Sequence, residues 1–404
     1  MNWKRRIPPI LAVVMTGIVV AGCGATLSGT GVPAEIDVRT LDTGRFPTAP
    51  PKFASRLDSV GYARLEAARL AGAVLSPHEV DAAVYSIGAS AEIHTDAQTV
   101  TDFLADQTVP TLQKYGFLIG FSTGSADERV PLKKALYGTR KREGLTVTVL
   151  RFPDAAAANS AAAELDAVDS SLNPENVAVK LPKYPDAHAH WRPTVPTLGS
   201  TTPHGPYVIS ILADSRNTDV NHLVDVTQKY LDAEIPELDG YVATPPGKFD
   251  TLRQDPDGVL ARLLQDNGVV PAPDGQGEVV YTLRGYLNYV QDQSSRFPVM
   301  SRAGVDRVAM SPTAFVFRAR DDAAAAQFVK ESAELGDAVD RRAVDPPDGI
   351  PNAACVQDYA AAKEAQFRCF VAYRRYAALE LGGRLWETQQ RAAAQYALLA
   401  NSQG

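Results

Sequence analysis

Three clusters of residues have types and spacings suited to chemistry. Gly120-Phe121-Ser122-Thr123-Gly124 matches the pattern in which two glycines permit a strained strand-to-helix turn that exposes a serine nucleophile. The apolar Phe117-Leu118-Ile119 supplies a strand before it, but Pro131 follows too soon for the helix that the motif requires. A turn beside a strand is the competing reading. Asp186-Ala187-His188-Ala189-His190-Trp191 is the densest set of metal-ligating types. On a strand, alternation would place Asp186, His188 and His190 on one face, where His204 could complete a zinc or copper site. Pro185 and Pro193 flank the segment and favour a solvated edge with Trp191 packed back onto the fold, so no metal is expected. Arg374, Arg375 and Arg384 with Tyr373 and Tyr376 could receive an anionic headgroup, although the outer face of an amphipathic strand accounts for them better. No phosphate-binding glycine loop, paired-cysteine metal set or dinucleotide fingerprint is present, so no cofactor is expected and no catalytic residue is assigned.

The three cysteines divide into one and two. Lys4, Arg5 and Arg6 precede an uncharged apolar run over 7–20 that is too short to span a bilayer. The run closes in Val20-Ala21-Gly22-Cys23, which resembles the bacterial lipobox. The resemblance implies that 1–22 is a lipoprotein signal peptide and that the Cys23 thiol receives a diacylglyceryl group before a peptidase cuts just ahead of it. A plain secretory leader is the alternative. Two acyl chains, at about 0.8 kcal/mol per buried methylene, hold a protein stably on a membrane. No later stretch is long and apolar enough to cross one, so the chain is expected at the cell membrane, lipid-anchored on the extracytoplasmic face. In that oxidising setting Cys355 and Cys369 are expected to form a disulfide, with free buried thiols as the alternative. Closing a loop of about 15 residues contributes roughly 3 kcal/mol in the chain-entropy model.

Residues 23–50 are rich in proline, glycine and threonine and read as a flexible tether, whose about 28 residues would reach roughly 30 Å. Beyond it the 404-residue chain is long enough for two α+β domains, expected at 51–240 and 241–404, with the boundary in the proline- and glycine-rich stretch 239–248. Loss of the leader leaves 37 basic against 47 acidic residues, a charge of −10 that repels a phosphate backbone and argues against nucleic acid as a partner.

The elements that must position these residues show a repeat. Leu145-Thr-Val-Thr-Val-Leu-Arg-Phe152 alternates like a strand, Pro153-Asp154 turns the chain, and 155–168 is an alanine-rich helix. Thr313-Ala-Phe-Val-Phe-Arg318, Asp321-Asp322 and 323–335 repeat that order 168 residues later. A second pair, the strands at 207–213 and 376–381 with their following helices, repeats at a spacing of 169. The pattern predicts an internal duplication in which each half is a small antiparallel sheet with helices on one face. Helices are also expected over 61–74, over a short turn capped by Ser76, and over 97–115 with a break at Pro110. Loops are expected over 191–206 and 344–351.

Together the lipobox, the segment Val38-Arg39-Thr40-Leu41-Asp42, the stretch Pro77-His78-Glu79-Val80-Asp81 and the strand Cys369-Phe-Val-Ala-Tyr-Arg-Arg-Tyr376 make the chain similar to a group of uncharacterised actinobacterial cell-envelope lipoproteins. That family carries no established activity and implies location and architecture alone. The expected function is therefore a non-enzymatic envelope module binding a lipid, glycan or protein in a groove between the halves. A hydrolase using Ser122 or a His188 and His190 metal site, and a purely structural wall component, are the alternatives.

Overall fold

The computed structural model describes residues 35–54, 56–128, 142–336 and 340–402. The expected signal peptide and the lipidation site Cys23 lie outside the described residues.

The first half contains α1 (Ser59–Ala71), α2 (Pro77–Val80), β2 (Ile87–His94), α3 (Val109–Lys114), β3 (Ile119–Ala126), β4 (Gly144–Arg151), α4 (Ala155–Ser171), β5 (Val177–Val179), β6 (His188–Trp191), β7 (Thr197–His204), β8 (Tyr207–Asp214) and α5 (Val220–Gly240), after a short strand β1 (Lys52–Phe53). The second contains β9 (Val269–Val270), β10 (Val279–Thr282), α6 (Leu283–Leu287), α7 (Gln293–Arg302), β11 (Arg307–Met310), β12 (Ala314–Arg318), α8 (Asp322–Glu334), β13 (Arg341–Val344), β14 (Ala354–Asp358), β15 (Phe367–Tyr373), β16 (Tyr376–Gly382) and α9 (Leu385–Asn401).

Each half is a seven-stranded antiparallel sheet, and the two orders correspond strand for strand: β2–β3–β4–β8–β7–β6–β5 and β10–β11–β12–β16–β15–β14–β13. The predicted duplication thus extends to topology. Its local cause is repeated as well. Asp154 accepts a hydrogen bond from the Ala157 N–H at 2.9 Å and Asp321 one from the Ala324 N–H at 2.8 Å, so each alanine-rich helix starts on an aspartate cap. Cys355 and Cys369 sit opposite each other on β14 and β15 and form the expected disulfide.

The halves are not separately cored. Val279 and Tyr281 of β10 and Met310 of β11 belong to the same buried cluster as Leu70 of α1, Phe121 of β3 and Tyr230 of α5. Gln293 of α7, fully buried, donates to Ser76 Oγ at 2.9 Å and accepts from Ser125 Oγ at 3.0 Å. The Gly88 N–H donates to the Gln291 carbonyl at 2.8 Å, an approach that leaves no room for a Cβ at position 88 beside the Val290 carbonyl. Residues 37–404 accordingly form one compact unit of two repeats.

Three expectations change. The tether expected over 23–50 is corrected over its second part: Phe46 is buried against Leu264, Ala394 and Leu398, and Asn401 Nδ2 donates to the Thr48 carbonyl at 2.8 Å. An aromatic ring in a proline-rich run was enough to dock it. The helix expected over 97–115 is three pieces, short 3-10 turns at Ala97–Asp102 and Asp106–Thr108 and then α3. Pro110 lies in the first turn of α3, where its missing N–H costs nothing, so it starts a helix instead of kinking one. The loop expected over 191–206 contains β7, which pairs with both β6 and β8. Among the described residues no helix is long and apolar enough to cross a membrane.

Candidate functional site

Directly opposed residues of an antiparallel sheet share a face, so the pairing register reads out rows of side chains. In the first half one row runs Glu92, Ser122, Thr148, Ser210, Thr201, His188. Every member is polar. The corresponding row of the second half runs Val279, Met310, Phe315, Leu379, Phe370, Ala354, and every member is apolar. In that half Leu379 and Phe370 pack in one cluster with Ala325, Phe328 and Val329 of α8, as the inner face of a sheet normally does. Both copies have an apolar core under the helix, on Leu150, Phe152 and Val208 beneath α4 in the first, but the next row along the sheet is apolar in the second copy and made of hydroxyls in the first.

Above those hydroxyls lies a cavity of about 440 Å³. Its floor includes Thr146, Thr148, Thr201 and Ser210, and its walls include Phe103, Leu165, His190 and Leu212. Thr146, Ser210 and Leu212 are only half-buried although β4 and β8 are central strands, because α4 packs on the Leu150 and Val208 ends of those strands and leaves the Thr146 and Leu212 ends open. Thr201 donates to the Ala162 carbonyl of α4 at 3.1 Å.

His190 closes one wall. Its Nδ1 is 2.8 Å from Asp166 and its Nε2 is 3.4 Å from Asp169, both on α4. Burial alone would lower its pKa, but the hydrogen bonds and charges of the two aspartates outweigh it and raise the pKa from 6.5 to about 9. The imidazolium is therefore the form present at neutral pH. Because the folded value is the raised one, its stabilisation is complete below about pH 6.5 and is lost as pH rises through about 9. Allowing for its partial exposure, we expect about 1–2 kcal/mol. Urea unfolding at pH 6 and pH 10 should show this difference in the native chain and a smaller one in His190→Gln. Equal pH dependence in the two would remove the imidazolium from the account.

Ser122 is placed otherwise than an exposed nucleophile. It lies in mid-strand, fully buried, with its Oγ 2.7 Å from His94 Nε2 and 2.7 Å from Thr148 Oγ1. His94 Nδ1 is 3.2 Å from Thr99 Oγ1, which donates to the Asp96 carbonyl. Burial lowers the His94 pKa to about 3, so the ring is neutral. A neutral ring with its proton on Nδ1 satisfies each group in turn: Thr148 donates to Ser122, Ser122 to His94, and His94 to Thr99. The relay starts at the cavity floor and runs inward, and no carboxylate takes part in it.

A second cavity, of about 540 Å³, lies between the halves. Ser90, Glu92, Arg142 and Thr146 face it from the first half, and Tyr286, Tyr289, Met310 and Phe315 from the second. Here Glu92, at the end of the polar row, looks across at Met310 and Phe315 of the apolar row of the other sheet. The two cavities abut, sharing Asp102, Phe103 and Thr146 as wall. Burial, and after it the nearby Asp102 charge, raise the Glu92 pKa.

The remaining expected residues do not converge. Asp186 is exposed in the turn before β6, His188 lies in the polar row, and His204 pairs with Asp239 at 2.7 Å. Among the described residues no group of three or more His, Cys, Asp or Glu side chains is placed to hold a metal. Arg374 is an exposed residue in the tight turn between β15 and β16, and Arg375 donates to the Ala319 carbonyl at 2.9 Å. Sequence reasoning missed the hydroxyl row and the cavity above it. The available signal was the contrast between Leu145-Thr-Val-Thr-Val-Leu150 and its second copy, Thr313-Ala-Phe-Val-Phe317.

This is a duplicated α+β protein with one cavity-bearing copy and one filled copy. The chain belongs to the family whose two models are described as a domain of unknown function, DUF7373, N-terminal over residues 57–254 and C-terminal over 259–402. No functionally curated protein matches the sequence. Among solved structures, the extracellular domain of PknH from Mycobacterium tuberculosis aligns with 12% identity over 42% of this chain and 95% of that one, at a TM-score of 0.27, too low to show a common fold.

Proposed function

We propose that the protein is an extracytoplasmic binding module, anchored to the cell membrane through lipid on Cys23, that holds an amphipathic ligand in the two abutting cavities. The observation that carries the binding reading is the replacement of a complete apolar row by hydroxyls, Glu92 and His188 in one copy of a duplicated sheet. A fold that needs only stability has no use for such an exchange, since buried polar groups cost free energy unless they find partners. The anchor rests on the ordered basic, apolar and small-residue signals before Cys23 and on the likeness to actinobacterial envelope lipoproteins. Cys23→Ser should abolish incorporation of an alkyne-palmitate label and release the chain from the membrane fraction; retention of both would leave the anchor without support.

The binding reading is tested by native mass spectrometry of the mature chain carrying Cys23→Ser and extracted without detergent from its own envelope. A stoichiometric non-protein adduct is the expected result. A bare mass from that source would count against the reading and favour a structural wall component.

The hydrolase reading is kept because the Ser122 and His94 side chains meet at 2.7 Å. Both residues are fully buried, and neither lines a cavity wall. A fluorophosphonate probe should therefore leave Ser122 unmodified in the folded chain. Stoichiometric labelling at Ser122, lost in His94→Gln, would reverse that conclusion.

A further inference from the structure

We propose that the polar end of this groove, under α4, is a subsite for an uncharged polyol, the sugar-like head of an amphiphile whose apolar part lies at the junction of the halves. The inference rests on the binding reading above and narrows its ligand. The groups open to the 440 Å³ cavity on the central strands are the hydroxyls of Thr146 and Ser210. A hydroxyl donates and accepts at once, as every hydroxyl of a polyol does, so the two are complementary without a fixed charge. Leu212 beside them and Phe103 on the wall offer apolar surface to the C–H faces of a sugar ring.

Charge excludes the other heads. Asp102, Asp106, Asp166 and Asp169 stand around the cavity against the single imidazolium of His190, which leaves it net negative and repels a phosphate or sulfate. An organic cation would need carboxylates free to face it or an aromatic cage. Asp166 and Asp169 are turned to His190, Asp102 and Asp106 are exposed at the rim where water and salt screen them, and Phe103 is the one phenyl ring among the described residues of this cavity's wall. The volume falls within the range of about 300–1,000 Å³ common to small-molecule sites. At the shared wall of Asp102, Phe103 and Thr146 the lining changes to Tyr286, Tyr289, Met310 and Phe315, which suits an alkyl or aryl portion.

The test compares three probes with one tail: n-octyl β-glucoside, n-octyl phosphate and n-octyltrimethylammonium. Each is titrated below its micelle-forming concentration into the mature chain carrying Cys23→Ser, by calorimetry. The glucoside should bind at least tenfold tighter than either charged probe. Ser210→Leu combined with Thr146→Val should weaken the glucoside at least tenfold and leave the charged probes unchanged, with thermal unfolding confirming that the variant is folded. Equal affinity for the three heads, a preference for either charged head, or undiminished glucoside binding in the variant overturns the polyol subsite. The comparison on the native chain stands even where the variant does not fold. If the probes bind without head preference and Phe315→Asp weakens all of them, the groove still binds amphiphiles and the polyol assignment alone fails. If none binds and the native extract gives a bare mass, the binding reading falls with it.

Discussion

Replacing Arg151 with leucine should lower the free energy of unfolding by about 3 kcal/mol, the low end of the usual cost of stripping one partner from a buried ion pair, because Arg69 still holds the other oxygen of Glu66. Arg151 ends β4 and is 4% exposed; Glu66, on α1, is fully buried. Their Nη1 and Oε1 are 3.0 Å apart. The same carboxylate accepts from the Thr244 N–H at 2.7 Å, the Thr244 hydroxyl at 2.7 Å and the Tyr241 hydroxyl at 2.9 Å. Arg151 Nη2 in turn donates to the Thr244 carbonyl at 2.7 Å. Tyr241 and Thr244 open the segment that leads from α5 into the second half, so this pair fixes where the second copy begins relative to the first. A hydrophobic double replacement, Glu66→Met with Arg151→Leu, often rescues a simple buried pair. Here it should not, because Thr244 and Tyr241 would lose the acceptor they share. Urea unfolding of both variants gives the answer. A change within about 0.5 kcal/mol for Arg151→Leu would mean that the pair is dispensable.

The parts of the fold that were legible are the local ones. An aspartate followed by an alanine run after an alternating segment states a strand, a cap and a helix within some 25 residues, and it does so twice. The disulfide was legible from cysteine spacing and the expected compartment. What escaped depends on pairing between distant segments. Strand β7 reads Thr-Leu-Gly-Ser-Thr-Thr-Pro-His and lacks the apolar alternation of a strand because Thr201 on one face belongs to the hydroxyl row and the other face carries Ser200, Thr202 and His204. Strand β3, Ile-Gly-Phe-Ser-Thr-Gly-Ser-Ala, is buried along its whole length yet looks like a turn, because its glycines and hydroxyls leave no apolar alternation. Ser122 was singled out for a motif, whereas its environment is set by His94, 28 positions away on β2, and by Thr148 on β4. His190 was singled out as a metal ligand, and its partners are aspartates on a helix that precedes it. In each case the residue type was informative and the chemistry belonged to whatever the register placed beside it.

Phe46→Ala should cost about 3 kcal/mol, at the low end for a buried aromatic because the site is at the edge of the body. It should also expose the strap to protease. The ring lies under the Arg391 guanidinium, 5.0 Å from its centre, against Leu264, Ala394 and Leu398. Nearby polar bonds are few: Gln390 Nε2 donates to the Asp42 carboxylate at 3.0 Å and Asn401 Nδ2 to the Thr48 carbonyl at 2.8 Å. Removing the ring therefore removes most of what holds residues 37–51 to α9. Arg39 and Arg45 are exposed, at 86% and 81% of their side chains, yet their backbone is docked. Trypsin should thus spare both in the native chain and cut after Arg45 in the variant before any site in the described segments 57–128, 142–336 and 340–402. Equal early cleavage of the native chain would show that the strap is not held. The distinction bears on anchoring: a docked strap leaves 23–36 as the whole distance between a lipid on Cys23 and the body, and a reach of roughly 20 Å, even if all of it were flexible, in place of roughly 30 Å. On the anchoring and binding proposed above, release of the strap would restore the longer tether, and the hold of Phe46 in its pocket would then set how far from the membrane the cavities stand.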